Sequence, residues 1–117
     1  MKVLVIIPAY NEEENIKDLI AELKSYYPDY DYVVINDCSK DHTKDILREN
    51  GFNYVDLPVN LGIGGGVQTG YLYAVQNDYD IAVQMDGDGQ HDPAYLGDLV
   101  EKVAVGEIGM KYYEDMD

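Results

Sequence analysis

The sequence is short of basic residues and of cysteine, and each shortage excludes a class of protein. Lys and Arg together number 8 against 23 Asp and Glu, and the formal net charge is −15. Nucleic acid and anionic membrane surfaces both require a basic face, so neither is an expected direct partner. Because Cys38 is the only cysteine, no disulfide can form within the chain, which fits a reducing compartment.

Long hydrophobic runs are also missing. The apolar run at residues 3–7 is far shorter than the about 20 residues that span a bilayer, and shorter than the core of a signal peptide. We therefore expect a soluble, cytoplasmic domain. The length of 117 residues corresponds to one domain, and a hydrophobic content of 46% supplies a core and argues against intrinsic disorder.

Short β-branched segments alternate with helical patterns along the chain. Residues 3–7 end at Pro8 and are typical of a strand buried on both faces of a parallel sheet. Further strands are expected at 32–35, 52–57 and 81–85, with a helix after each strand. This β-α-β-α-β-α-β-α order predicts a doubly wound, mainly parallel sheet with helices on both faces.

Apolar spacing and capping signals place the helices. The expected boundary residues are Asn11 with Glu14 as a capping box before the first helix and Pro28 after it, Gly51 closing a second helix over 42–50, Gly62–Gly66 opening the third, and Asp92 with Pro93 opening the fourth. The expected core-facing residues are Ile16, Leu19, Ile20 and Leu23 in the first helix, Val67, Tyr71, Ala74 and Val75 in the third, and Leu96, Leu99, Val100 and Val103 in the fourth.

Each unusual polar cluster follows a predicted strand. The clusters cover residues 8–12, 36–41, 60–66 and 86–92. In doubly wound sheets, ligands bind beyond the carboxyl ends of the strands, where these clusters would meet. The sequence therefore predicts one ligand site built from four loops.

The segment Asp86–Asp92 is the sharpest of these clusters. Carboxylates at Asp86 and Asp88 offer hard oxygen ligands to Mg²⁺ or Mn²⁺, and their mutual repulsion calls for a cation. A calcium loop of the EF-hand type is excluded because it needs Gly and Glu where His91 and Gly97 stand. A turn with a helix cap explains Asp92 but not the two other carboxylates.

Two further clusters have both structural and functional interpretations. Asp37 is placed to accept hydrogen bonds from a base or ribose, whereas Ser39 and Asp41 are expected only to form the turn and cap the next helix. Gly62–Gly66 lacks the third glycine of a dinucleotide fingerprint, since Val67 stands there. It is either a loop beside a phosphate or sugar or a purely structural glycine turn.

Taken together, these segments resemble family 2 glycosyltransferases, which adopt the nucleotide-diphospho-sugar transferase fold called GT-A. The resemblance runs from Val3 to about Val103 and is closest in motif to polyprenyl- and dolichyl-phosphate sugar transferases. Four motifs in the family's order carry it. They are Ile7–Glu13, Asn36–Thr43, Asn60–Gly64 and Met85–Pro93.

The resemblance implies a role for individual residues. It implies an incomplete, N-terminal part of a GT-A domain that binds a UDP- or GDP-sugar and uses Mg²⁺ or Mn²⁺. The implied donor-binding residues are Pro8, Ala9, Tyr10 and Glu12 around the base and ribose, Asp37 at the base, Gly62 and Gly64 in the glycine segment, and Asp86, Gly87 and Asp88 at the ribose and diphosphate. Its implied metal ligands are Asp86, Asp88 and Gln90.

The chain departs from the family pattern at one motif. The family has Asp-Asp-Gly-Ser where this chain has Asn36-Asp37-Cys38-Ser39, which is expected to alter base contacts or loop shape. The implied reaction transfers the sugar, with inversion, to a lipid phosphate or glycan. A hydroxyl acceptor needs a general base, and no residue of this chain is assigned that role. The implied location is cytoplasmic, peripheral to the membrane for the full-length protein.

The domain is predicted to cover 1–106, with 107–117 as an acidic tail or truncation point. If nothing pairs with the fourth strand, its apolar edge is exposed and a homodimer should form there. Two other functions remain open: a non-catalytic nucleotide-sugar-binding module, and a structural or interaction domain with the same fold.

Overall fold

The computed structural model describes residues 1–86, 93–104 and 112–113. Five strands and four helices alternate along this part of the chain. The strands are β1 (Val3–Ala9), β2 (Asp31–Asn36), β3 (Tyr54–Asp56), β4 (Ile81–Gln84) and β5 (Tyr112–Tyr113). The helices are α1 (Ile16–Tyr26), α2 (Thr43–Glu49), α3 (Gly62–Gln76) and α4 (Pro93–Ala104).

The sheet has the order β3-β2-β1-β4-β5, and every neighbouring pair is parallel. The strand order reverses between β1 and β4, so the chain switches direction across the sheet at this point. Ala9 pairs with Asn36 on one side of β1, and Ile6 pairs with Gln84 on the other. This register brings the carboxyl ends of β1, β2 and β4 together, as the alternating pattern predicts.

Two hydrophobic clusters cover the two faces of the sheet. Alternate residues of β1 point to opposite sides, with Val5 and Ile7 in one cluster and Leu4 and Ile6 in the other. The first cluster includes residues of α1, α2 and α4, whereas Ala74 of α3 belongs to the second. All of these β1 residues are fully buried, which confirms a strand covered on both faces.

Most of the predicted helix faces are confirmed. The four apolar residues of α1 and the four of α4 are buried, and α1 ends two residues before Pro28. Gly51 follows α2 with a φ of 65°, as the predicted C-terminal glycine requires. The prediction of Val75 as a core residue is wrong, because its side chain is 68% exposed.

The predicted capping box at Asn11 is also wrong. Helix α1 begins later, with Asn15 as its N-cap residue, and the carbonyl of Glu12 accepts from the amides of Asn15 and Ile16. Asn11 instead has a φ of 54°, and its side-chain oxygen accepts from the amide of Lys40 at 2.8 Å. The predicted cap at Asp92 lies outside the described residues.

The predicted exposed edge of β4 is covered by another strand at the two central residues of β4. Residues Ala82 and Val83 pair with Tyr112 and Tyr113 of β5, which lies in the segment expected to be a tail. The argument for a homodimer through this edge therefore loses its premise. Within the described residues, no helix is both long and apolar enough to cross a membrane.

Candidate functional site

A cleft of about 260 Å³ opens at the carboxyl ends of the strands. The loops that follow β1, β2 and β4 form it, together with the first turn of α3. This is the position expected for a ligand in a doubly wound sheet. The residues that line the cleft are Pro8, Ala9, Tyr10, Glu12, Asp37, Ile63 and Asp86.

The cleft combines apolar walls with carboxylates. Tyr10 is 41% exposed and Ile63 is 64% exposed, so both present apolar surface to a ligand. Glu12, Asp37 and Asp86 supply three acidic groups, and none of the described residues that line the cleft is basic. Such a site suits a flat ring with N–H donors, while an anionic group needs a cation to enter it.

Asp37 lies where the sequence predicts a base-contacting carboxylate. It is only 5% exposed, and its amide donates to the carbonyl of Ala9 at 2.9 Å. Its Oδ1 accepts from the amide of Leu61 at 2.7 Å, just before α3 begins. The residue therefore joins the ends of β1 and β2 to the glycine segment while lining the cleft.

Cys38 and Asn36, the two residues that differ from the Asp-Asp-Gly-Ser pattern of the family, both fit the local structure. Cys38 has a φ of 58°, so it keeps the left-handed backbone that a glycine would favour, at a cost of about 1 kcal/mol. Asn36 is 1% exposed, and its Nδ2 donates to Asp56 Oδ1 at 2.8 Å. An aspartate at position 36 would bring two carboxylates together, so the amide is matched to Asp56.

Asp86 is half-buried at the end of β4 and lines the cleft. Gln84 Nε2 donates to its Oδ1 at 3.4 Å. Together with the other carboxylates among the described lining residues, Asp86 fits Mg²⁺ or Mn²⁺, which prefer hard oxygen ligands. The other predicted metal ligands, Asp88 and Gln90, lie outside the described residues, as does the predicted donor contact Gly87. Within the described residues, no three His, Cys, Asp or Glu side chains are grouped so that they could hold a metal ion.

The glycine segment contributes to the cleft through a residue that was not predicted. Gly62 has a φ of 75° and donates its amide to Asn60 Oδ1 at 3.0 Å, which turns the chain into α3. Neither Gly62 nor Gly64 belongs to the cleft lining, whereas Ile63 between them does. An apolar residue enclosed by glycines at a helix start was the available signal.

The prediction that Asp41 caps α2 is wrong, because the N-cap residue is His42, but the Asp41 side chain does bond to Thr43, the first residue of this helix. Asp41 Oδ1 accepts from the amide of Thr43 at 2.9 Å and from the Thr43 hydroxyl at 2.6 Å, and its Oδ2 accepts from the amide of Glu13 at 3.1 Å. Desolvation acts to raise the pKa of Asp41, but the hydrogen bonds from Thr43 and Glu13 outweigh it and lower the pKa below its ordinary value. The ionised form is therefore favoured in the folded state.

We expect Asp41→Ala to lower the free energy of unfolding at pH 7 by about 1 kcal/mol, because the hydrogen bonds that its carboxylate accepts from Thr43 and Glu13 are lost. Since the folded pKa of Asp41 is depressed, its contribution is present above the unfolded pKa of about 3.9 and is lost as pH falls through the folded pKa. Urea denaturation at pH 7 and at pH 3 checks this. An equal loss at both pH values would show that the charge of Asp41 is irrelevant.

The chain is similar to known proteins in both sequence and fold. Residues 4–110 match the profile of the family described as Glycosyl transferase family 2. The chain is 32% identical over 113 residues to an undecaprenyl-phosphate mannosyltransferase of Micrococcus luteus, covering 92% of this chain and 46% of the relative. It is 34% identical over 124 residues to a dolichol-phosphate mannosyltransferase of Pyrococcus furiosus, covering 96% and 34% respectively.

Among solved structures, the chain is similar to glucosyl-3-phosphoglycerate synthase from Mycobacterium tuberculosis, crystallised with Mn²⁺ and UDP-glucose. The identity is 25%, the TM-score is 0.70, and the match covers 91% of this chain and 40% of that one. The chain thus spans less than half the length of these relatives. Because the family profile matches residues 4–110, which is most of the sequence, the chain belongs to glycosyl transferase family 2.

Proposed function

We propose that this chain forms the donor-binding part of a glycosyltransferase that moves a sugar from a UDP- or GDP-sugar to a lipid phosphate or a glycan, with inversion. The observation that carries the proposal is the cleft, which brings Tyr10, Glu12, Asp37 and Asp86 together from three separate strand ends. The relatives named as lipid-phosphate mannosyltransferases support the reaction class.

The side chains of the cleft divide the donor between them. Tyr10 and Ile63 offer apolar surface to the base, and the buried carboxylate of Asp37 accepts hydrogen bonds from base N–H groups. Asp86 lies across the cleft at the end of β4, where the ribose and diphosphate would follow. With Asp88 and Gln90 it would hold Mg²⁺ or Mn²⁺, which when bound supplies Lewis acidity toward the departing diphosphate.

The acceptor follows from what the chemistry needs. A sugar hydroxyl must lose a proton during transfer, so it requires a general base, whereas a phosphate acceptor is already ionised. The described cleft carboxylates are engaged in donor binding in this scheme. A lipid phosphate is therefore the favoured acceptor, and we propose that the full-length protein works in the cytoplasm, peripheral to a membrane.

Calorimetric titration of the chain with UDP-glucose and with GDP-mannose, in Mn²⁺, tests donor binding. Asp37→Asn keeps an oxygen for the Leu61 amide but turns an N–H donor toward the base. We expect it to weaken binding by about 10-fold or more, because a charged hydrogen bond is lost.

Asp29→Asn is the matched control for this variant. It makes the same change of charge at an exposed residue just before β2, at the amino-terminal ends of the strands and away from the cleft. Its affinity should equal that of the wild type. If neither nucleotide sugar binds the wild type, donor binding is disproved. If Asp37→Asn and Asp29→Asn bind equally well, the role of Asp37 is wrong.

A further inference from the structure

Three consecutive backbone amides in the loop after β1 donate to side chains of the loop after β2 and of the first residue of α2. The donors are residues 11–13, and the acceptors come from the segment 39–43. The side-chain oxygens are thus supplied by one short stretch of chain, at every second residue. The three hydrogen bonds join Asn11 N to Ser39 Oγ at 3.0 Å, Glu12 N to Thr43 Oγ1 at 2.9 Å, and Glu13 N to Asp41 Oδ2 at 3.1 Å.

The direction of these hydrogen bonds is fixed, because a backbone N–H only donates, and the single proton of each hydroxyl is engaged elsewhere. Thr43 donates its proton to Asp41 Oδ1, and Ser39 donates its proton to Asn36 Oδ1. A hydroxyl that has donated its only proton can face the other loop only as an acceptor. Asn36 is buried at the end of β2 and is itself bonded to Asp56, so Ser39 is anchored on the sheet.

The loop held in this way is one wall of the cleft. Tyr10 and Glu12 both line it, and the carbonyl of Glu12 also receives the first amides of α1. Between them, Asn11 adopts a φ of 54°, which a non-glycine residue avoids without support. Lys40 supplies part of that support through its amide, which donates to the Asn11 side chain at 2.8 Å.

We propose that Ser39, Asp41 and Thr43 are positioning residues that hold the Tyr10–Glu12 wall in the shape that binds the nucleotide. This goes beyond a turn and a helix cap, which would not require three bonds to another loop. The proposal rests on the proposed function, since it needs a ligand whose binding depends on the wall. Thr43 is its centre, because it is fully buried and contacts both Glu12 and Asp41.

Thr43→Val tests the proposal, because it removes the hydroxyl and keeps the shape of the side chain. We expect it to bind UDP or GDP with Mn²⁺ at least fivefold more weakly than the wild type, at a temperature where both are fully folded. Thr43→Ser keeps the hydroxyl and should restore wild-type affinity. In NMR spectra, the chemical shift of the Glu12 amide should differ from the wild type in Thr43→Val, because its hydrogen bond to Thr43 is lost, and should match the wild type in Thr43→Ser.

A control for general loss of stability is Ile81→Val, a core truncation at the amino end of β4. It should reduce the melting temperature without changing nucleotide affinity. If Thr43→Val binds as tightly as the wild type, or if Thr43→Ser fails to restore affinity, the positioning role is overturned and the proposed function stands. If the wild type binds neither nucleotide, both are overturned.

Discussion

Removing the divalent cation with EDTA is expected to weaken binding of a nucleoside diphosphate by about 100-fold. Without the cation, a phosphate and a carboxylate about 6 Å apart repel each other by about 3 kcal/mol at an effective dielectric constant of about 20, and this energy corresponds to about 100-fold in affinity. In the part of the chain that the structure describes, the cleft presents Glu12, Asp37 and Asp86 to the ligand and no basic side chain. The formal net charge of −15 adds to the repulsion. A diphosphate therefore depends on a cation to enter.

The uncharged nucleoside is the control for this prediction. Uridine or guanosine carries no phosphate, so its affinity should be the same with Mn²⁺ and with EDTA. Asp86→Asn in the presence of Mn²⁺ should reproduce part of the EDTA effect, whereas Asp29→Asn should not. Equal affinity of the diphosphate in Mn²⁺ and in EDTA would contradict the role given to Asp86 and to the cation.

Gly70→Ala is expected to lower the free energy of unfolding by about 2 kcal/mol, because overpacking of up to about 3 kcal/mol exceeds the gain of about 1 kcal/mol for replacing a helical glycine. Gly70 lies in α3 against the sheet, and an added Cβ would overlap with Cγ2 of Ile6. Ile6 is fully buried at the centre of β1, and its Cγ2 is attached to a β-branched carbon whose rotation is restricted. Urea denaturation measures the loss.

Gly64→Ala is the matched control in the same helix. Gly64 is exposed, and an added Cβ there meets nothing within 4 Å. Its free energy of unfolding should be unchanged or raised by up to about 1 kcal/mol. If Gly70→Ala is as stable as Gly64→Ala, the close packing of α3 on β1 is not what the structure describes.

Features carried by local patterns were predictable from the sequence. Residues 3–7 are continuously apolar and β-branched, which indicates a strand covered on both faces, and Leu19 and Leu23 follow helical spacing. The alternation of strands and helices then brings the strand ends together. Because Asp37 and Asp86 directly follow strands, their meeting in one cleft followed from the fold alone.

Features that depend on contacts between distant residues were not predictable. Asn11 has the sequence signal of a helix cap, but its side chain bonds to Lys40, so α1 begins later. The pairing of Asn36 with Asp56 likewise joins residues 20 positions apart. Val75 fits the helical period of α3 yet lies at the margin of its apolar face, where spacing does not decide burial.

Amide chemical-shift mapping during titration with UDP or GDP and Mg²⁺ tests the central claim most directly. Binding in the cleft should shift the amides of the residues that line it, chiefly Ala9, Tyr10, Glu12, Asp37 and Ile63. The chemical shifts of the amides of Lys2 and Asp29, which lie at the amino-terminal ends of the strands, should not change. Shift changes confined to that end of the sheet, or no shift changes at saturating nucleotide, would contradict the assignment of this cleft as the donor site.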